Sequence, residues 1–572
     1  MRGILLHIAD LTRYLLGVLS VQAVVIINPA HTLAQDTKPN ASAFQVGGAM
    51  TFRIGSYSAS GIPDRYEPFT WYISGSPVLR AGRVQIPLRL QAGNIGHRRF
   101  GQPFNKFGMS PHGRWWKLHL GHSNINWSPY TLGGRTVLGG GFELNPGKFR
   151  IGFVYGVLQN AVEEFTDTAF QKPPIILHKR KGFAARLGIG SAHDYWDLIL
   201  FKARDDTASV VSRDIPAYAS PQENAVIGIT GRQRIAKGLR LDIDAAVSAY
   251  SRNINSEAHA LEENSWSRAL EKVFTPRLSS RYNYAGDAAL RFQRKRYGAE
   301  LRYKRIDTDY QSMGAYFLQN DVENITGGLH FASAQNKFLL RGTFGWQRNN
   351  VSGIRSAKTS RRIGRLNAQV AATPHLLLHV NFNNYLTELQ RRRDILEDTL
   401  ALDQRTHHLS GGGRWSRQAH ATGHSVFLEG FWRKLADKAT SEKNTYSSRG
   451  FSATYFLQVL ASGSGIETGL YYDSYSFLKA DYVKVQPHLS FHQQLSGEQL
   501  SLIARATYAL NYRESELQST TFMPGLNVIW RASRQHTLNL YISYLDHDVK
   551  IAGLEPAFSE FRGDLSYTIR FQ

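Results

Sequence analysis

From about residue 44 onward, apolar and polar side chains alternate in runs of about ten residues. Leu239, Leu241, Ile243, Ala245, Val247 and Ala249 fall on one face of such a run, and Arg240, Asp242, Asp244 and Ser248 on the other. Phe338, Leu340, Gly342, Phe344 and Trp346 stand likewise against Arg341, Thr343 and Gln347. Leu538, Leu540, Ile542 and Tyr544 stand against Thr537, Asn539 and Ser543. The last run sets Phe561, Leu565, Tyr567, Ile569 and Phe571 against Arg562, Asp564, Ser566, Thr568 and Arg570. A period of two places successive side chains on opposite faces of a strand, so each strand has one apolar and one polar neighbourhood. Repeated many times, this is the pattern of a transmembrane β-barrel, apolar toward lipid and polar toward the lumen.

The connections between the runs alternate in length. Short links fall near Arg80-Ala81-Gly82, Asn145-Pro146-Gly147-Lys148, Ala236-Lys237-Gly238, Ala334-Gln335-Asn336, Thr373-Pro374, Ser462-Gly463-Ser464-Gly465, Ser496-Gly497-Glu498 and Ser533-Arg534-Gln535. Gly, Asn and Pro supply the backbone angles such turns need. Longer polar segments lie near 159–180, 205–222, 253–282, 305–323, 348–360, 388–404 and 434–447. The expected fold is therefore an all-β, antiparallel, up-and-down barrel of about 24 strands, within a range of roughly 22 to 26, with short periplasmic turns and long extracellular loops. Residues 44–572 form that barrel. A soluble propeller would need a recurring blade signature, and none is present.

Residues 1–34 read as a signal peptide. Arg2 and Arg13 flank a leader, Tyr14 to Ile27 is almost continuously apolar, Asn28-Pro29 interrupts it, and Thr32-Leu33-Ala34 offers a cleavage site. An uncleaved anchor is the competing reading of this short run. Residues 35–43 would be a short periplasmic segment. Export followed by strands predicts a bacterial outer-membrane location.

The chain's 12% aromatic content suits interface belts, and its lack of cysteine excludes a disulfide framework, a thiolate metal site and a cysteine nucleophile. The formal charge of +23 is spread through strands and loops rather than gathered on a basic helix. Nucleic acid is accordingly not an expected partner. Outer-membrane lipid and lipopolysaccharide are, together with the barrel-assembly machinery during biogenesis and an envelope protein partner if the barrel serves as a scaffold.

One stretch interrupts the rhythm. Residues 94–130 include Phe104, Asn105, Phe107, Trp115, Trp116 and Trp127, and they read as an insertion that folds into the lumen as a constriction. An extra strand pair with an aromatic loop is the alternative, in which the tryptophans belong to an interface belt. The succession Gln102-Pro103-Phe104-Asn105-Lys106-Phe107-Gly108-Met109-Ser110-Pro111, with Tyr130-Thr131-Leu132-Gly133-Gly134, Leu138-Gly139-Gly140-Gly141 and Glu143-Leu144-Asn145-Pro146-Gly147-Lys148-Phe149, resembles a group of largely uncharacterised outer-membrane β-barrel proteins of the Bacteroidota. The resemblance spans roughly residues 70–160 and implies barrel and location, with no substrate or catalytic residue. In strand texture the chain is also similar to TonB-dependent receptor barrels, while Gln35 to Ala43 is too short for their plug. Phe561 to Phe571 resembles the C-terminal signal read by the barrel-assembly machinery, through Tyr567, Ile569 and the terminal aromatic Phe571, with Gln572 as a departure.

Catalysis is not expected. His122 and Ser123, in a segment superficially like that of outer-membrane phospholipases, are adjacent and so point to opposite faces of a strand. His408 and Ser410 share a face but have no evident acceptor to orient the histidine. His375 and His379 read as lumen or interface residues, and neither a cofactor nor a metal is called for. The predicted lumen charges are Arg240, Asp242, Asp244, Glu300, Arg302, Lys304, Arg341, Arg505, Arg562, Asp564 and Arg570. A cation-rich wall favours a channel for polar, anionic solutes, whereas mutual pairing of these charges would make them structural. A non-conducting scaffold is the rival function, and an outer-membrane hydrolase a weaker one.

Overall fold

A strand buries its polar edges only by pairing, and here the pairing closes on itself. In the computed structural model the first strand, Phe44–Ser60, pairs antiparallel with the last, Phe558–Phe571, in continuous register from Gly48↔Phe571 to Ser60↔Ser559. Every other strand of the sheet pairs antiparallel with its neighbours in the wall. The structure describes residues 44–94, 105–164, 175–211, 215–259, 273–316, 318–391, 402–437, 445–551 and 556–571. The expected signal peptide, the periplasmic segment 35–43, Phe104 and Gln572 lie outside the described residues.

Among the described residues the closed sheet contains 27 strand segments. Phe69–Gly75 and Val78–Ala81 are two halves of one stave broken at Ser76-Pro77, where proline removes a ladder donor, so the barrel has 26 staves. This is close to the expected 24 and lies at the upper end of the expected range of 22 to 26. The region that broke the sequence rhythm contributes two wall strands, Lys106–Met109 and Trp116–Asn124. They share only Gly108↔Gly121 and Met109↔Leu120, a contact too brief to leave a readable alternation. Gly121 has φ +76°, and a side chain there would strike the backbone of Phe107. A separate two-stranded ribbon, Val162–Glu164 with Ile175–Leu177, lies outside the main sheet.

The alternation seen in the sequence becomes a two-faced wall. Leu187, Leu198 and Ile229 form a cross-strand row, and Ile227, Val247 and Tyr284 another. All six are exposed, up to 61% for Leu187. Contiguous exposed apolar rows of this kind have no place in water and require lipid. The fold is that of a transmembrane β-barrel. Several strands are longer than a bilayer needs: Leu402–Ala419 has 18 residues against roughly 9–11 for a tilted span, so the sheet continues past the membrane as a rim.

That rim is uneven. Most connections at the end opposite the termini are long, yet Phe477 passes to Ala480, and Arg513 to Glu516, through two-residue turns. Leu478, Lys479, Glu514 and Ser515 carry positive φ there, the backbone of a primed hairpin turn built without its usual glycine or asparagine.

Candidate lumen site

Strand register decides which charges share the lumen. Asp244 faces Asp287, Lys304 and Asn324 in turn; Arg302 faces Ala289 and Thr326; Glu300 faces Arg291 and Gly328. The same face continues through His330↔Arg341, Ser490↔Arg505, Ser543↔Arg562 and Tyr541↔Asp564. With Arg240, Asp242 and Arg570 in step, all eleven predicted charges fall on the face opposite the exposed apolar rows.

Many of these charges are paired. Asp242 is shared by Arg232 (3.0 Å), Arg240 (3.2 Å) and Arg291 (3.1 Å). Arg302 lies between Glu300 (3.1 Å) and Asp287 (3.5 Å). Asp564 accepts from Arg53 (2.8 Å) and Arg562 (2.9 Å), the former across the closing seam, and Arg505 binds Glu467 at 2.9 Å. Arg341 has no ion pair among the described residues, and Arg570 donates to Thr537 Oγ1 at 3.1 Å. Lys304, half-buried, likewise has no ion pair among them. Arg291, Glu300, His330 and Arg341 line a cavity of about 440 Å³.

Among the described residues, the lumen is filled on one side. The segment between Asn124 and Thr136 turns inward and meets the segment between Ile306 and Val322, which is distant in sequence. Tyr310 Oη donates to the Tyr130 carbonyl (2.6 Å) and Ser312 Oγ to the Thr131 carbonyl (2.6 Å), while Gly133 N donates to the Gly314 carbonyl (3.1 Å). Gly314 allows this approach, since a Cβ there would lie 2.4 Å from the Thr131 carbonyl oxygen. Ile125, Tyr130, Leu132, Phe201, Val226, Tyr310 and Met313 form a packed cluster between these segments and the wall. Hydroxyl-to-carboxylate bonds fasten it: Ser128 Oγ to Asp244 at 2.6 Å and Tyr130 Oη to Asp287 at 2.9 Å. Asn224, fully buried, binds Gln311 and Met313 backbone groups.

Burial raises the Tyr130 and Tyr310 phenols well above the usual range, so both remain hydrogen-bond donors. Arg135, at the end of the first segment, is lowered to about 10 by burial and by nearby Arg180. Its Nε and one terminal nitrogen are buried without a partner. The sequence did not reveal the Asp307 to Asn320 contribution. Its residues look like one more polar loop, and only their seat against residues 124–135 distinguishes them.

The expected insertion 94–130 divides. Phe107 lies on a wall strand and is 58% exposed, Asn105 precedes that strand, and Trp115 and Trp116 sit at the start of the next, Trp115 half exposed. Trp127 alone of the named aromatics belongs to the inward segment, with the Arg186 guanidinium 5.1 Å from its ring centroid. Tyr567, Ile569 and Phe571 lie on the outward face of the last strand, where Tyr567 stacks on His536 at 6.0 Å. His122 contacts the Phe107 backbone, and Ser123 is buried on the other face. His408 stands between Asn383 and Arg433, neither of which supplies an orienting carboxylate. His379 lies 3.8 Å from Glu429 and His375 contacts the Ser416 carbonyl. Among the described residues no cluster of His, Asp or Glu is arranged to hold a metal.

No protein-family model matches the chain, and no curated protein does. Among solved structures it is similar to OpdK of Pseudomonas aeruginosa, crystallised with vanillate, at 9% identity over 66% of this chain and 98% of that one, with a TM-score of 0.31. OccAB4 of Acinetobacter baumannii is 13% identical over 66% of this chain and 99% of that one, with a TM-score of 0.30. The FrpB iron transporter of Neisseria meningitidis is 10% identical over 91% of this chain and 81% of that one, with a TM-score of 0.33.

Proposed function

We propose that this chain is an outer-membrane conduit for polar, anionic small solutes. One observation carries the reading: away from the two inward segments, the lumen-facing arginines Arg341, Arg365, Arg505, Arg562 and Arg570 are all exposed. A barrel of this strand number is too wide to be filled by its own wall side chains. The inward segments occupy the sector near Asp244 and Asp287, which leaves a passage bounded by the arginine-bearing strands. Cations on a low-dielectric wall raise the local concentration of anions and favour their passage.

In this reading the short turns face the periplasm and the long connections face outward, and residues 1–34 are removed on export. The barrel-assembly machinery reads Phe561 to Phe571, and the chain belongs with the Bacteroidota group it resembles. The test is single-channel conductance of refolded protein in planar bilayers, with reversal potentials in asymmetric salt. Stable steps with anion preference support the proposal. Silence from protein whose folding is verified by heat-modifiable mobility overturns it and favours a scaffold.

A further inference from the structure

The outer wall carries a groove that conduction does not use. Across Val322–Ala332, Phe338–Arg348, Ala357–Thr373, Leu376–Arg391 and Leu402–Ala419, a cavity of about 780 Å³ opens on the lipid-facing side. Its depth comes from glycine. A Cβ on Gly327 would meet nothing within 4 Å, and one on Gly364 only the Asn384 Cβ at 3.9 Å. Neither position has the positive φ that demands glycine, so the missing side chains leave space rather than relieve the backbone. Ile325, Phe344, Trp346, Phe382 and Leu386 stand around this floor. Trp346 is held in place by its Nε1 donating to Ser360 Oγ at 3.1 Å.

The chemistry changes at the loop end. Arg362, Arg405 and His407 line the groove there. Register sets Arg362 beside Leu386 and Leu386 beside Arg405, with Lys434 beside His407, so Arg362, Arg405 and Lys434, from three of four adjoining staves, gather where the outer apolar rows stop. Glu388 and Asp403 occupy the next row toward the loops. Arg362 is exposed and makes no ion pair or hydrogen bond among the described residues. A lipid-facing wall needs no cations to hold acyl chains alone. An apolar groove that ends in an unpaired guanidinium matches an amphiphile with acyl chains below and a phosphate above.

We propose that this groove binds a phosphate-bearing glycolipid of the outer leaflet, of the lipid A type. Its acyl chains lie over Gly327 and Gly364, and its phosphate contacts Arg362, with Lys434 adding positive potential and Arg405 and His407 lining the groove beside it. The leaflet assignment rests on the proposed sidedness of the barrel; the groove and its cations do not depend on conduction.

The full refolded chain in detergent would be tested by native mass spectrometry for retention of lipid A, dephosphorylated lipid A and phosphatidylglycerol. The expected result is one retained lipid A, preferred over its dephosphorylated form by about tenfold, the scale of one charge-assisted contact. Arg362→Ala, or Arg362→Gln if the first variant folds poorly, should erase that preference. Gly327→Leu fills the groove while leaving every cation in place and should lower retention of both glycolipids. Unchanged retention in both variants, or equal retention of the dephosphorylated form, overturns the site. Preference for phosphatidylglycerol that is lost with Arg362 overturns the lipid A assignment and the sidedness beneath it. Bilayer conductance of Gly327→Leu should equal that of the parent chain, so failure of this site is distinguishable from failure of the conduit.

Discussion

The inward segments are fastened to the wall by few polar contacts, and Tyr130 is where removing one is most informative. Its ring is 2% exposed, its hydroxyl donates to Asp287 at 2.9 Å, and it meets Tyr310 edge-to-face with ring centroids 6.5 Å apart. Tyr130→Phe keeps the ring and deletes the donor. A hydrogen bond to a charged group contributes about 1.5–3 kcal/mol, so the balance between seated and released segment should shift by roughly 10- to 150-fold. Arg302, 3.5 Å from Asp287, limits the loss. Tyr130→Ala also removes the buried ring, a further loss of about 3–5 kcal/mol by analogy with other aromatic truncations. The barrel wall is paired independently of this contact and should persist in both variants. The assay is single-channel recording: Tyr130→Phe should show added flicker to a larger conductance, and Tyr130→Ala should occupy the larger level most of the time. Folded Tyr130→Ala barrels with the conductance and noise of the parent would refute the view that these segments set the width of the passage.

Three other outcomes are expected. Arg341→Glu combined with Arg505→Glu should move the reversal potential in asymmetric salt toward cation preference, because both guanidinium groups are exposed to the lumen; an unmoved potential would contradict the proposed path. Asp564→Asn should weaken the seam between the first and last strands by about 1.5–3 kcal/mol, since Asp564 holds Arg53 across it; this would appear as a lower midpoint in urea unfolding followed by heat-modifiable mobility. Replacing Phe571 with serine should reduce the amount of folded barrel in membranes, and undiminished assembly in cells would count against the role given to the last strand.

The barrel was legible in the sequence because its cause is local. Side chains on a strand alternate with period two, and a wall between lipid and water requires each face to differ, so residues such as Val247 and Asp244 declare their sides without knowledge of any neighbour. The placement of eleven charges on one face follows from the same parity. Pairing partners do not. Asp242 holds Arg240 of its own strand together with Arg232 and Arg291 of the two neighbouring staves, and only register assigns the last two. Lys106–Met109 and Trp116–Asn124 read first as an insertion, with an extra strand pair only as the alternative, because their mutual pairing is two residues long, and the turns at Leu478-Lys479 and Glu514-Ser515 escaped notice because they lack the usual turn residues. The tertiary structure alone decided which two of the described connections meet in the lumen. Tyr130 and Tyr310 are 180 positions apart, and no periodicity links residues that meet only when a closed sheet brings two of its connections to the same interior.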